Sequence, residues 1–147
     1  MKTISLYVTI ALLLIGTATA SAQCGSVIKA GIKKLSPYTY NDQINSAKIE
    51  AGKPAEFHLS FYKGVNYKLL ICSDAGMGKV NFRVLDENKN EVYNSSNDNN
   101  ADSWTFFSNS TQELVIEITP VEKKNSGCAA VVVGMQVPKT SNSIRNL

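Results

Sequence analysis

The residues that could do acid–base or nucleophilic chemistry are few and scattered. His58 is the one histidine among 147 residues, and no serine or cysteine stands in a recognisable nucleophile motif, so no Ser-His-Asp arrangement is indicated. The 12 acidic residues lie singly or in turns, whereas catalysis by paired carboxylates needs two acids in one cleft. We therefore predict no catalytic residue, and a small secreted hydrolase is only an alternative.

Two segments rich in Asn and Asp, residues 86–90 and 97–102, carry oxygen atoms that could bind calcium. Residues 86–90 begin like an EF-hand loop, but Glu91 stands at the sixth position, where that loop needs glycine. Asn and Asp are also common in turns because they tolerate unusual backbone angles. No CxxC motif or Cys/His cluster is present that would hold zinc. The sequence predicts neither a metal site nor a cofactor.

The longest strongly polar connection, residues 94–102, leads directly into the single tryptophan. Loops on a rigid scaffold often carry function, and hydrogen-bonding side chains beside an aromatic ring suit a sugar or a peptide. The alternative is that the tryptophan fills the core. Our hypothesis is that five residues border a contact surface: Asn97, Asp98, Asn100, Asp102 and Trp104.

The elements that must position these residues read as β-strands. Apolar residues alternate with polar ones around Leu59, Leu69, Phe82 and Ile116, which is the period-2 pattern of half-buried strands. Residues 129–133 are continuously apolar, as in a strand covered on both faces. Residues 27–35 fit either a strand or a short helix. Seven to nine strands, about ten residues apart, predict an all-β antiparallel sandwich or jelly roll.

Three cysteines allow one internal disulfide. Cys72 ends a predicted strand and Cys128 begins another, so we favour the pair Cys72–Cys128. Cys24, on what reads as a mobile N-terminus, is then free or forms an intermolecular link. The alternative is that Cys72 is a reduced core residue.

The N-terminal residues read as an export signal. Lys2 precedes an apolar stretch shorter than the about 20 residues that cross a bilayer, and Ala20-Ser21-Ala22 fits signal peptidase. We predict a signal peptide at 1–22, one domain at 23–137 and a flexible tail at 138–147. A lipoprotein is less favoured, because Gln23 precedes Cys24. We expect an exported periplasmic or extracellular protein with no transmembrane segment in the mature chain.

Three stretches carry a family resemblance: YKLLI at residues 67–71, VNFRVLD at 80–86 and EVY at 91–93. They are similar to the central hairpins of bacterial pre-peptidase C-terminal (PPC) type jelly rolls. The chain also resembles small secreted β-sandwich proteins of Bacteroidetes bacteria, whose function is largely unassigned. The resemblance implies a jelly-roll fold. Calcium-binding PPC-type domains use an acidic N-terminal segment, which here carries Lys29, Lys33 and Lys34, so no calcium site is carried over.

The net charge of +3 is too small to indicate a nucleic-acid partner. We predict an exported non-catalytic module that binds a protein or glycan partner. The alternative is a structural or assembly subunit of the cell envelope.

Overall fold

The computed structural model describes residues 24–43 and 45–138. The predicted signal peptide, Ile44 and residues 139–147 of the predicted tail lie outside this range. Among the described residues, no helix is long and apolar enough to cross a membrane.

Two antiparallel sheets form a sandwich, which confirms the predicted fold class. The described part contains one α-helix, α1 (Gly25–Ile32), and nine strands. The strands are β1 (Thr39–Tyr40), β2 (Asn45–Ile49), β3 (Ala55–Phe61), β4 (Asn66–Ser73), β5 (Val80–Leu85), β6 (Glu91–Asn94), β7 (Ser103–Phe107), β8 (Gln112–Pro120) and β9 (Gly127–Gln136).

The first sheet, sheet A, has the order β1-β9-β4-β7, and β2 also pairs with β9. The second, sheet B, has the order β3-β8-β5-β6. A 3-10 helix at Ser95–Asn97 lies on the connection from β6 in sheet B to β7 in sheet A. Both of these strands are the last of their sheets on that side, so one side of the sandwich is bounded by β6 and β7.

The core lies between the sheets and follows the predicted alternation. Tyr67, Leu69 and Ile71 of β4 point into it, while Leu70 and Cys72 point to the other face of sheet A. The core is completed from sheet B by apolar side chains of β3, β5 and β8, namely Leu59, Phe61, Phe82, Val84, Leu114, Ile116 and Ile118. The alternation follows from the strand geometry, which points successive side chains to opposite faces of the sheet.

Helix α1 covers the outer face of sheet A and resolves the ambiguity of residues 27–35. Val27 packs against Ala130 in a small apolar cluster, and Leu35 packs against Leu70 and Val132 in a second one. Strand β9 is therefore buried on both faces, as its continuous apolar run predicts. A short helix close to the sheet requires a small residue, and a Cβ at Gly31 would lie 2.7 Å from both Cys72 Sγ and Val132 Cγ2.

The predicted cysteine pairing is wrong. The structure joins Cys24 to Cys128, with their Cα atoms 5.4 Å apart, and leaves Cys72 as a free cysteine. Cys24 lies at the start of α1 and is 1% exposed, so it is neither on a mobile segment nor open to an intermolecular link. Folding of residues 25–32 as a helix places Cys24 over β9, which the strand spacing alone could not indicate.

Candidate functional site

The five residues of the predicted contact surface do not lie together. Asn97 ends the 3-10 helix, and Asp98 accepts a hydrogen bond from the Tyr93 hydroxyl at 2.8 Å. Asn100 and Asp102 line a cleft at the side of the sandwich, which Trp104 does not line. The structure thus brings together two of the five, and their role in binding stays a prediction.

Trp104 belongs to a row of aromatic rings from β5, β6 and β7, the aromatic stack (Phe82, Tyr93, Trp104, Phe106). Its ring centroid is 4.4 Å from that of Phe106 and 5.0 Å from that of Tyr93, with interplanar angles below 20°. The Trp104 side chain is half-buried and packs against the main core. Desolvation by this packing, with the Asp98 hydrogen bond second, raises the pKa of Tyr93 to about 12. The stack therefore closes the side of the sandwich.

The cleft, which we call the edge cleft, is a space of about 740 Å³ beside the end of β4. Helix α1 and the following turn form one wall, and the connection from β4 to β5 with the start of β5 forms another. Its lining consists of Val27, Ala30, Lys34, residues 71–73, residues 78–81, Asn100, Asp102 and Val121. The volume falls within the range of small-ligand and peptide sites.

The edge cleft exists because β7 is shorter than β4. Pairing of β4 with β7 covers Asn66–Leu70 only, although β4 continues to Ser73. Ile71 N–H still donates to Asp102 O at 2.8 Å. Before Asp102, both Asn99 and Asn100 have positive φ, 50° and 55°, a conformation that Asn tolerates better than most residues. Two such residues in succession turn the connection away from β4.

The turn from β4 to β5 is fixed by one carboxylate. Asp74 Oδ1 accepts from Met77 N–H at 2.8 Å, and Oδ2 accepts from Cys128 N–H at 2.9 Å. The hydrogen bond from Cys128, followed by that from Met77, lowers the pKa of Asp74. This side chain ties the cleft wall to β9.

Charges of both signs surround the apolar interior of the cleft. The exposed side chains of Lys34 and Lys79 line it from two different walls, and Asp102 lines it just before the first residue of β7. Burial raises the pKa of the half-buried Cys72 thiol, which the nearby Lys34 ammonium lowers and the Asp102 carboxylate raises. Cys72 is thus a protonated and weakly nucleophilic side chain at neutral pH.

His58 lies on the outer face of sheet B, away from the edge cleft. Its Nδ1 is 3.1 Å from the Glu113 carboxylate, and both side chains are more than half exposed. Within residues 24–43 and 45–138, no group of three or more His, Cys, Asp or Glu side chains is placed to hold a metal ion. The Asp86 carboxylate of the EF-hand-like segment accepts hydrogen bonds from the Asn88 and Asn90 N–H groups, both at 2.8 Å. These residues form the turn between β5 and β6.

Sequence reasoning missed the helical wall of the cleft. Val27, Ala30 and Lys34 stand at i, i+3 and i+7, the spacing of one helical face, and this was the available signal. It was overlooked because the same stretch also fits a strand.

Comparison with known proteins gives a similarity in structure but no match in sequence. No protein-family model matches the chain, and no curated protein matches its sequence. Among solved structures, the chain is similar to the crystal structure of Aeromonas hydrophila PliG, a periplasmic lysozyme inhibitor of g-type lysozyme. The TM-score is 0.46 and the sequence identity 14%, over 67% of this chain and 92% of that chain. A similarity at this level identifies no partner, and the resemblance to PPC-type jelly rolls stays a prediction.

Proposed function

We propose that this protein is an exported, non-catalytic module that binds a protein partner through the edge cleft. The observation that carries the proposal is the composition of the cleft. Apolar side chains from α1, β4 and β5 form its interior, and three charged side chains stand around it. Such a combination allows an apolar contact in the centre and polar contacts that set orientation.

The lining favours a protein over a glycan. Among the described residues that line the edge cleft, none is aromatic, whereas sugar rings commonly stack on exposed aromatic side chains. The one tryptophan is instead engaged by Tyr93 and Phe106. A protein segment needs no such platform, because backbone groups and small apolar pockets suffice for it.

Export is supported by two independent features. The N-terminal sequence fits a cleavable leader, and Cys24 is joined to Cys128. Disulfides persist in the oxidising compartments outside the cytosol. Because Cys24 is bonded to Cys128 within the chain, it does not provide the intermolecular disulfide that would join subunits in the alternative of a structural or assembly subunit.

The test is capture of a partner with matched variants as bait. The mature chain, residues 23–147, is immobilised beside Ala30→Trp, which fills the cleft from an exposed helical position, and Ser60→Trp, which places the same ring on the outer face of sheet B. We expect a protein from the periplasmic or culture fraction to be retained by the wild type and Ser60→Trp and lost with Ala30→Trp. A partner that all three retain equally would contradict the assignment of the cleft, provided that circular dichroism shows all three folded.

A further inference from the structure

The end of β4 leaves backbone hydrogen-bonding groups unused at the floor of the edge cleft. Along β4, Ile71 N–H points to the β7 side, where it donates to Asp102 O. The residue after the strand, Asp74, donates its N–H to Cys128 O of β9 at 3.0 Å. Because directions alternate along a strand, the N–H and C=O of Ser73 face the same side as those of Ile71, beyond the point where pairing with β7 stops.

Among the described residues, no strand pairs with this end of β4 on the β7 side. The backbone N–H of Ser73 makes no hydrogen bond to the connection between β6 and β7, and its hydroxyl donates to Gly78 O at 2.6 Å. The connection is held away, because Asn100 N–H donates to Ser95 O and Ala101 N–H donates to Asp98 O, both at 2.9 Å. The gap is therefore maintained by hydrogen bonds within the connection itself.

Charge indicates what kind of strand would fit. Lys34 and Lys79 line the cleft from two different walls, and Asp102 directly precedes the first residue of β7. The lining carries two positive charges and one negative charge. A chain that continues past Asp102 along β4 meets the two ammonium groups, so acidic side chains on it are attracted by both walls.

On the basis of the proposed function, we propose that the occupant of the edge cleft is an extended acidic peptide segment that adds as a short strand to β4 at Cys72 and Ser73, beyond the hydrogen bond from Ile71 N–H to Asp102 O. The segment continues the line of β7. Its backbone accepts a hydrogen bond from Ser73 N–H and donates one to Ser73 C=O, and its carboxylates point to Lys34 and Lys79. Because Ile71 is paired with Asp102 and Asp74 with Cys128, this free end accommodates about two residues of the added strand, at a rise of about 3.3 Å per residue. Strand addition of this kind gives affinity through the backbone and specificity through side-chain pockets.

The first experiment compares three blocked peptides by NMR titration of the folded mature chain. The peptides are Ac-Val-Val-Glu-Glu-Val-NH2, in which the two adjacent Glu side chains point to opposite faces of the strand, and its Gln and Lys counterparts. We expect the Glu peptide to bind about tenfold more tightly than the Lys peptide at low salt, and to lose that advantage as salt screens the charges. Amide shifts are expected at residues 71–73, 79–81 and 100–102. Equal affinities, no binding of any peptide, or shifts confined elsewhere would overturn the proposal.

Two further comparisons separate charge from strand pairing. The double variant Lys34→Glu with Lys79→Glu is expected to invert the preference toward the Lys peptide, whereas Lys33→Glu, an exposed neighbour that does not line the cleft, leaves it in place. Two Glu peptides N-methylated on alternate residues remove the donors of one peptide edge each. At least one is expected to lose tenfold or more in affinity, and binding that survives both would overturn strand addition.

The outcomes also distinguish this inference from the proposed function. If the captured partner is lost with Ala30→Trp but the peptides fail as above, the cleft is a protein site that uses another mode. If the peptides behave as expected but no captured protein depends on the cleft, the proposal that the cleft binds a protein partner is wrong, whereas the acidic-strand inference stands.

Discussion

Asp74 is the single side chain on which the cleft wall depends most directly. Its two carboxylate oxygens satisfy one N–H in its own turn and one at the start of β9, 54 residues further along the chain. Hydrogen bonds to a charged acceptor each contribute more than neutral ones. One residue thus positions the connection that carries Lys79 relative to the strand that carries the disulfide.

We predict that Asp74→Ala lowers the free energy of unfolding by about 2 kcal/mol at pH 7, with Asp74→Asn in between because one acceptor oxygen remains. The pKa of Asp74 is lower in the folded protein than the ordinary value of 3.8. Its contribution is therefore complete above that value and is lost as the pH falls through the folded pKa. Urea unfolding should show the same gap between wild type and Asp74→Ala at pH 7 and pH 4, and a smaller gap at pH 3.

Glu122→Ala, at an exposed carboxylate in the turn before β9, serves as the control and should show no such gap. A gap for Asp74→Ala that stays constant down to pH 3 would contradict the role of the charged carboxylate.

Trp104 provides a second prediction at this scale. Trp104→Ala opens the aromatic stack between Tyr93 and Phe106, so we expect a loss of about 3 kcal/mol in unfolding free energy. Phe107 follows on the same strand, faces the other way and is 47% exposed. Phe107→Ala should therefore cost less than about 0.5 kcal/mol. Denaturation followed by far-UV circular dichroism measures both, and equal losses would mean that Trp104 is not part of the packed interior.

At the scale of elements, helix α1 is held close to sheet A by the absence of a side chain at Gly31. A Cβ there would approach two side chains within 2.7 Å, whereas one at Gly25, in the same helix, would meet nothing within 4 Å. The helix has no side-chain N-cap, so contact with the sheet rather than capping must stabilise it.

We predict that Gly31→Ala lowers the unfolding free energy by about 2 kcal/mol because the helix must move outward. Gly25→Ala should leave it unchanged or raise it by less than about 1 kcal/mol, since alanine favours helix. Thermal denaturation of the two variants under the same buffer measures the difference. A gain for both variants would show that α1 has room to shift without cost.

The strands could be predicted from the sequence, but the cleft could not. Period-2 alternation reports burial of one face directly, and it located the four strands around Leu59, Leu69, Phe82 and Ile116. The edge cleft arises from where the pairing of β4 with β7 stops, which depends on the backbone angles of Asn99 and Asn100. Residue type predicts such backbone angles only weakly, because Asn tolerates positive φ without requiring it. Asn100 and Asp102 were found because they are polar loop residues, and Lys34 was missed because the helix that it follows was not assigned.

For the whole molecule, the disulfide joins the first described element to the last. Cys24 and Cys128 are separated by 104 residues, so the bond restricts nearly the whole unfolded chain. Loops of that length give a large entropic effect in the chain-entropy model. The start of the covering helix therefore stays tethered to the most buried strand even when the chain is unfolded.

We predict that the double variant Cys24→Ser with Cys128→Ser lowers the unfolding free energy by about 2 to 4 kcal/mol. Cys72→Ser should cost less than half as much and keep the bond. Peptide mapping after alkylation in denaturant, without reductant, should find residue 72 alkylated and residues 24 and 128 linked. A linked peptide that contains residue 72 would contradict the assignment.

The order of the cysteines along the chain has a consequence for biogenesis. Synthesis proceeds from the N-terminus, so Cys72 is made well before Cys128. An oxidant acting on the emerging chain meets Cys24 and Cys72 first and joins them, whereas the folded protein uses Cys24 and Cys128. Release of the earlier bond requires attack by the Cys128 thiolate or by an external thiol. The yield of native protein in an oxidising compartment should therefore depend on disulfide isomerisation, and replacing Cys72 with serine should remove that dependence.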